Sequence, residues 1–263
     1  DGLKIGVHLD GNYFQLKNKF SLTAWFNSTL LQNGIPDYDL EPASFDSISP
    51  VSFNFSYSSN THRFIKNSSV DVTAKFLDGM WGGSAGFSVQ ANSKNIISCG
   101  VKSMYRAHQR DLDYLLYPDQ WIAGNWNNSV SLALDHKYVY FKGNGDINVV
   151  LRSASLFSDY QYADITMTSV NKNKLGKFDF NTRVIGRIGT DEPAPESALY
   201  LAGSSPEEMM DNKFVRSKAF VPNNWLGYGA DMNHFQQGGG LNLRGFAGYV
   251  VAEKNKDDEQ VYE

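Results

Sequence analysis

The sequence predicts an all-β chain, an antiparallel transmembrane β-barrel with about 11–12 strands and long external loops that carry a short helix. Three observations point there. Apolar residues recur at every second position in one segment after another. Many of these segments run about 9–13 residues, close to the 9–11 of a bilayer-spanning strand and well beyond the usual 5–6 of a soluble one. Ser, Thr, Asn, Gly and charged residues fill one side, while charges almost never fall on the other.

Taken in order, Leu3, Ile5, Val7 and Leu9 alternate with Lys4, Gly6, His8 and Asp10, and a turn is expected at Gly11-Asn12. Phe20, Leu22, Ala24 and Phe26 then oppose Ser21, Thr23, Trp25 and Asn27. Val51 to Tyr57, Val70 to Phe76 and Ala85 to Ala91 keep the same period of two. It returns in Val130, Leu132 and Leu134, continuing to Tyr138 and Tyr140, and again in Phe178, Phe180, Val184 and Ile188. Weaker strands fit around 96–106, 146–156 and 160–169. Roughly ten strands precede Gly189 on this reading. Tyr13, Trp25, Trp81, Tyr105, Tyr138, Tyr140, Tyr160 and Tyr162 sit near strand ends, where a barrel places its aromatic girdles.

The connections differ in length. Those near 11–17, 59–67, 92–95, 141–145 (with Gly143-Asn144-Gly145 as its turn) and 171–175 are brief, whereas 30–49, 107–126 and 190–240 are long and share one parity. The long ones therefore emerge at one rim, the exterior one in a barrel of this kind. Within the last, Ser205-Pro206-Glu207-Glu208 supplies a cap, a proline at the first helical position and acids in the first turn, so a short helix is expected there. Asp111 to Tyr117 forms a second candidate helical turn.

Composition sets further bounds. With 24 Lys+Arg against 28 Asp+Glu the formal charge is -4, which is no footprint for nucleic acid. The single Cys99, between Ile97 and Val101, excludes an internal disulfide and is expected to be a small buried apolar residue. Five scattered histidines form no metal-ligating pair, no catalytic constellation stands out, and no cofactor is implied. Asp135 and His136 are adjacent, so on a strand they point to opposite faces. A mean hydropathy of -0.39 and the lack of any run of about 18 apolar residues exclude a membrane-spanning helix but not a membrane barrel. The chain reads as one domain over 1–263, incomplete at its C-terminal end and with the look of a processed product or fragment.

The segment Gly238-Gly239-Gly240-Leu241-Asn242-Leu243-Arg244-Gly245-Phe246 closes the longest loop. This glycine cluster followed by Leu-Arg-Gly-Phe resembles the signature in the sixth extracellular loop of the outer-membrane insertase and two-partner-secretion transporter superfamily. That resemblance implies a barrel of about 16 strands whose plug is formed by Gly238, Gly239, Gly240, Arg244, Gly245 and Phe246, with Arg244 meeting carboxylates on later strands. The stretch from Ala198 through Arg216-Ser217 to the glycines also resembles barrels attached to the C-terminus of Bacteroidetes zinc aminopeptidase-like proteins. No H-E-x-x-H motif is present, so no peptidase activity is carried over to these residues.

The functional expectation is a non-enzymatic outer-membrane barrel that translocates or assembles protein or lipid, or anchors an attached domain. Its expected partners are outer-membrane lipids, lipopolysaccharide and other outer-membrane or periplasmic proteins, with no nucleic acid. The alternative is a secreted soluble β-sandwich binding glycans through aromatics such as Trp121, Trp126 and Trp225.

Overall fold

In the computed structural model the described residues are 4–13, 17–27, 51–77, 79–107, 122–191, 193–199, 205–211, 219–220, 234–235, 241, 252–254 and 260–262. The chain divides into two compact units, Asp1–His108 with Ala123–Gly189, and Gln109–Ile122 with Thr190–Glu263.

Ten long strands make the first unit: β1 (Lys4–Tyr13), β2 (Asn18–Asn27), β3 (Val51–Asn60), β4 (Ser68–Leu77), β5 (Met80–Gln90), β6 (Asn95–Arg106), β7 (Trp126–Tyr140), β8 (Gly143–Ala154), β9 (Ala163–Leu175) and β10 (Phe178–Thr190). They form one sheet in sequence order, each strand beside the next. The pairings from β1 to β9 are antiparallel. Among the described residues β1 and β10 do not pair with each other, so the sheet is open. Every strand has 10–15 residues, as the unbroken alternation requires.

One rim carries only short connections, 14–17, 61–67, 91–94, 141–142 and 176–177, and the opposite rim carries 28–50 and 107–125. The two long connections within the sheet thus share one rim, as parity indicated, together with the shorter 78–79 and 155–162, while the expected long segment 190–240 follows β10 and joins no two strands of this sheet. At the 176–177 turn Gly176 takes φ 63, which a non-glycine residue would resist.

Three turns lie elsewhere than expected. Gly11 and Asn12 belong to β1, because the Phe20 ring of β2 lies over Gly11 and fills the space its missing side chain leaves. Gly143, Asn144 and Gly145 belong to β8 for the same reason, with Tyr138 over Gly145 and Tyr140 beside Gly143. Such coverage compensates a strand glycine. Strand β9 runs on to Leu175, replacing the turn expected at 171–175.

In the second unit Pro195–Ser197 forms a 3-10 turn and Pro206–Asp211 the helix α1. Glu208 N–H donates to Ser205 Oγ (3.3 Å) and Ser205 N–H donates to Glu208 Oε2 (2.9 Å), a reciprocal capping box at the place the sequence indicated. Two small ladders, β11 (Ala219–Phe220) with β12 (His234–Phe235) and β13 (Ala252–Lys254) with β14 (Gln260–Tyr262), complete what is described.

Candidate functional surface

Because side chains alternate across a strand, the register sorts the sheet into two faces. One carries Val7, Leu22, Phe55, Val72, Phe87, Cys99, Leu132, Leu151 and Ile165. The other carries Asp10, Ser21, Ser56, Thr73, Ser84, Lys102 and Ser129 in a single cross-strand row.

Exposure on the two faces is the inverse of a water-soluble protein's. On the apolar face Val7 is 59%, Val101 54% and Leu132 49% exposed. On the polar face Lys75 is 6%, Ser129 4% and Asn127 0% exposed. Apolar side chains exclude themselves from water when a core is available; here many stand outside while several hydroxyls, amides and charges of β4 to β9 are sheltered, although His8, Asp10, Ser56 and Asp71 on the same polar face are exposed. Cys99 belongs to this exposed face, correcting the expectation of a buried thiol. Alternation fixes which face a residue takes, not whether protein covers that face.

The sheltered face is bound together by side-chain hydrogen bonds. Ser69 pairs with Ser88 (2.8 Å) and Thr73 with Ser84 (2.7 Å) across β4 and β5, and Asn148 donates to Asp135 (2.7 Å) across β7 and β8. Further along lies a charge cluster. Asp164 on β9 accepts from Arg152 Nε on β8 (3.3 Å) and from an Arg187 terminal nitrogen on β10 (2.6 Å). Thr166 Oγ1 also donates to it (3.3 Å), and the Arg152 guanidinium sits 5.4 Å from the centre of the Tyr162 ring. Three strands thus converge on one carboxylate. Sequence reading did not find this cluster, because Arg152 and Asp164 become neighbours only once the β8–β9 register is known. Tyr162 donates to Asn127 Oδ1 (3.0 Å) and is buried, so it does not join an aromatic girdle.

Aromatics do gather at both ends of the apolar face. Trp81 packs against Phe76 (4.6 Å between centroids) and Phe53 (5.9 Å), and Tyr105 against Trp126 (4.6 Å), on the side of the long connections. Tyr138 stacks on Tyr140 (6.1 Å) towards the opposite rim, where Tyr13 also lies. Trp25, like Tyr162, departs from the expected girdle. Its register with Gly6 and Ser52 puts it on the polar face.

No nucleophile-and-base arrangement is built from these groups. His8 bonds Thr23 (2.7 Å) and Asp10 (2.8 Å) in an exposed polar network, while Asp135 and His136 face opposite ways, bonded to Asn148 and Asn95 respectively. Among the described residues no three His, Cys, Asp or Glu side chains are grouped to hold a metal ion. Likewise, among the described residues, no helix is long and apolar enough to cross a membrane, which says nothing of strands. The plug motif Gly238, Gly239, Gly240, Arg244, Gly245 and Phe246 lies outside the described residues, as do Asp111 to Tyr117, Trp121 and Trp225.

What the fold defines is therefore an all-β protein of one large antiparallel sheet with a largely exposed apolar face and a charge-bearing polar face that is sheltered in part. Comparison with family models, with curated proteins and with solved structures finds no match to the chain.

Proposed function

We propose that the chain is a large part of an outer-membrane β-barrel, whose apolar face meets lipid and whose polar face lines a lumen. On this reading it serves protein or lipid translocation or assembly, or anchors an attached domain, and its lipid partners include lipopolysaccharide. The observation that carries the proposal is the inverted exposure on β4 to β7: Val101 is 54% and Leu132 49% exposed while Lys75 and Ser129 are sheltered. A β-sandwich would bury the first pair between its sheets. Strands of 10–15 residues, aromatics at both ends of the apolar face and long connections that share one rim support the same reading. The resemblance of Gly238 to Phe246 to the insertase and transporter signature makes this segment the candidate plug, with Arg244 as the residue that needs a carboxylate partner.

Fractionation tests the membrane claim. The protein is expected to sediment with outer membranes, to leave them only in detergent, and to migrate faster unheated than heated on a denaturing gel. Release as a soluble monomer without detergent refutes it. For the plug, Arg244→Ala in the complete protein is expected to raise ion leakage through reconstituted vesicles several-fold and to weaken detergent resistance. Unchanged leakage, assembly and resistance remove Arg244 from the site.

A further inference from the structure

The border between apolar and polar side chains does not run along the hydrogen-bond ladder; it crosses it at a slant. One row of directly paired residues is apolar in Leu22, Phe55 and Ala74, then turns small and polar in Gly83, Ser103 and Asn128. A row nearer the other rim does the reverse. It begins polar with Asn18 and Ser59 and continues apolar through Phe87, Cys99, Leu132 and Leu151. The polar members outside the band bond to one another instead of to hydrocarbon neighbours: Ser59 donates to Asn18 (2.6 Å) and Ser103 to Asn128 (2.6 Å).

The middle of the band is occupied by Leu22 in β2, Val72 in β4, Cys99 in β6 and Val149 in β8. Traced through the pairings, each of these lies two ladder positions beyond the last, so the band shifts by about one residue per strand. With a rise of about 3.3 Å per residue and about 4.8 Å between strands, that slope corresponds to strands tilted roughly 35° from the normal of the band. Membrane barrels tilt their strands by about 35–45°.

The height of the band follows from the same tilt. On β7 the polar residues Asn128 and His136 bracket Val130 to Leu134, and the aromatics Trp126 and Tyr138 lie one position further out on each side. Projected onto the normal, the polar bracket spans about 22 Å and the aromatic bracket about 32 Å, on either side of the roughly 25 Å apolar band of outer-membrane barrels.

Resting on the membrane reading above, we infer that the apolar face of β2 to β8 is a lipid contact surface for a single flat bilayer, with Leu22, Val72, Cys99 and Val149 at its midplane and Asn18 at its interface. Depth in the membrane then follows the oblique line through these residues and not the ladder row. Asn18 shares a row with Cys99 yet sits about 11 Å shallower, four residues of tilted strand away.

Nitroxide labels test this in the complete protein reconstituted in phosphatidylcholine vesicles. The native Cys99 is labelled directly; Leu22→Cys, Val149→Cys and Asn18→Cys are labelled in a Cys99→Ser background. The ratio of collisions with oxygen to collisions with a water-soluble nickel chelate reports depth. The expected result is one shared depth for Leu22, Cys99 and Val149, and a position about 11 Å nearer the headgroups for Asn18. If Leu22→Cys or Asn18→Cys does not fold, Val72→Cys and Ser59→Cys carry the same contrast, with about 8 Å between them. Equal depths for Asn18 and Cys99, with Leu22 displaced, overturn the oblique band while leaving a membrane protein. Strong collision with the nickel chelate at Cys99, or no collision with either reagent, overturns the membrane reading itself.

Discussion

Leu132 is the position at which lipid, water and a packed protein layer make three different demands. It lies on β7 between Cys99 of β6 and Leu151 of β8, near the middle of the apolar band, and is 49% exposed. In water, replacing so exposed a leucine by arginine changes stability by no more than about 0.5 kcal/mol. At mid-bilayer the same change costs about 2–4 kcal/mol, a factor of about 30 to several hundred in the folding equilibrium. Reversible guanidinium unfolding from phosphatidylcholine vesicles reads it as a midpoint lowered by about 0.5–1 M, taking a slope of about 4 kcal/mol/M. Ala91→Arg, on the same face but beyond the end of β5, is expected to cost only about 0–1 kcal/mol. Leu132→Phe separates lipid from a protein core: fluid chains make room for the ring, whereas a packed interior is strained by about 1–3 kcal/mol. A neutral Leu132→Arg refutes the reasoning, and so does a Leu132→Phe that destabilises as a core substitution would.

Two more outcomes follow from the sheet itself. Asp164, with a side chain 5% exposed, balances Arg152 and Arg187. Asp164→Ala leaves both guanidinium groups without their shared carboxylate and is expected to lower unfolding stability by about 3–5 kcal/mol; a loss under about 1 kcal/mol in the same guanidinium assay means that water already screens the cluster. The three atoms nearest a Cβ on Gly11 all belong to the Phe20 ring, so Gly11→Ala is expected to cost about 1–3 kcal/mol in the native background and much less beside Phe20→Ala. A double-mutant cycle with a coupling below about 0.3 kcal/mol rules this contact out.

The ten strands were legible because alternation is local: each segment announces its own two faces without reference to any other. Turns were less so. Gly11-Asn12 and Gly143-Asn144-Gly145 have turn composition, but they are strand because Phe20, Tyr138 and Tyr140 on the neighbouring strand cover their glycines, information held elsewhere in the chain. The Arg152, Asp164 and Arg187 cluster and the slant of the apolar band depend on register, which one-residue slips would change entirely. For Cys99 the face was legible and its covering was not. Ser205 and Glu208 were found in advance because a capping box is complete within four residues.

An open sheet and a bilayer are in tension, and the tension has a consequence for β1 and β10. Among the described residues each has one ladder partner, so half of its backbone N–H and C=O groups point away from the sheet. For a strand of 10 residues that is about ten polar groups, each costing several kcal/mol if left bare in hydrocarbon. Against this, one exposed Leu or Val side chain gains about 1.5–3 kcal/mol from lipid, so an uncovered edge would cancel the benefit of several such residues. On the membrane reading the edges must therefore be covered, by each other or by further strands. Hydrogen exchange on the complete reconstituted protein reads this directly, because all the backbone amides of β1, including the outward-pointing half, are then expected to be protected as strongly as those of β5. Fast exchange at Gly6, His8, Asp10 and Asn12, whose amides point away from β2, with β5 protected, would mean that β1 meets water along its length, and a lipid-embedded sheet could not have that edge.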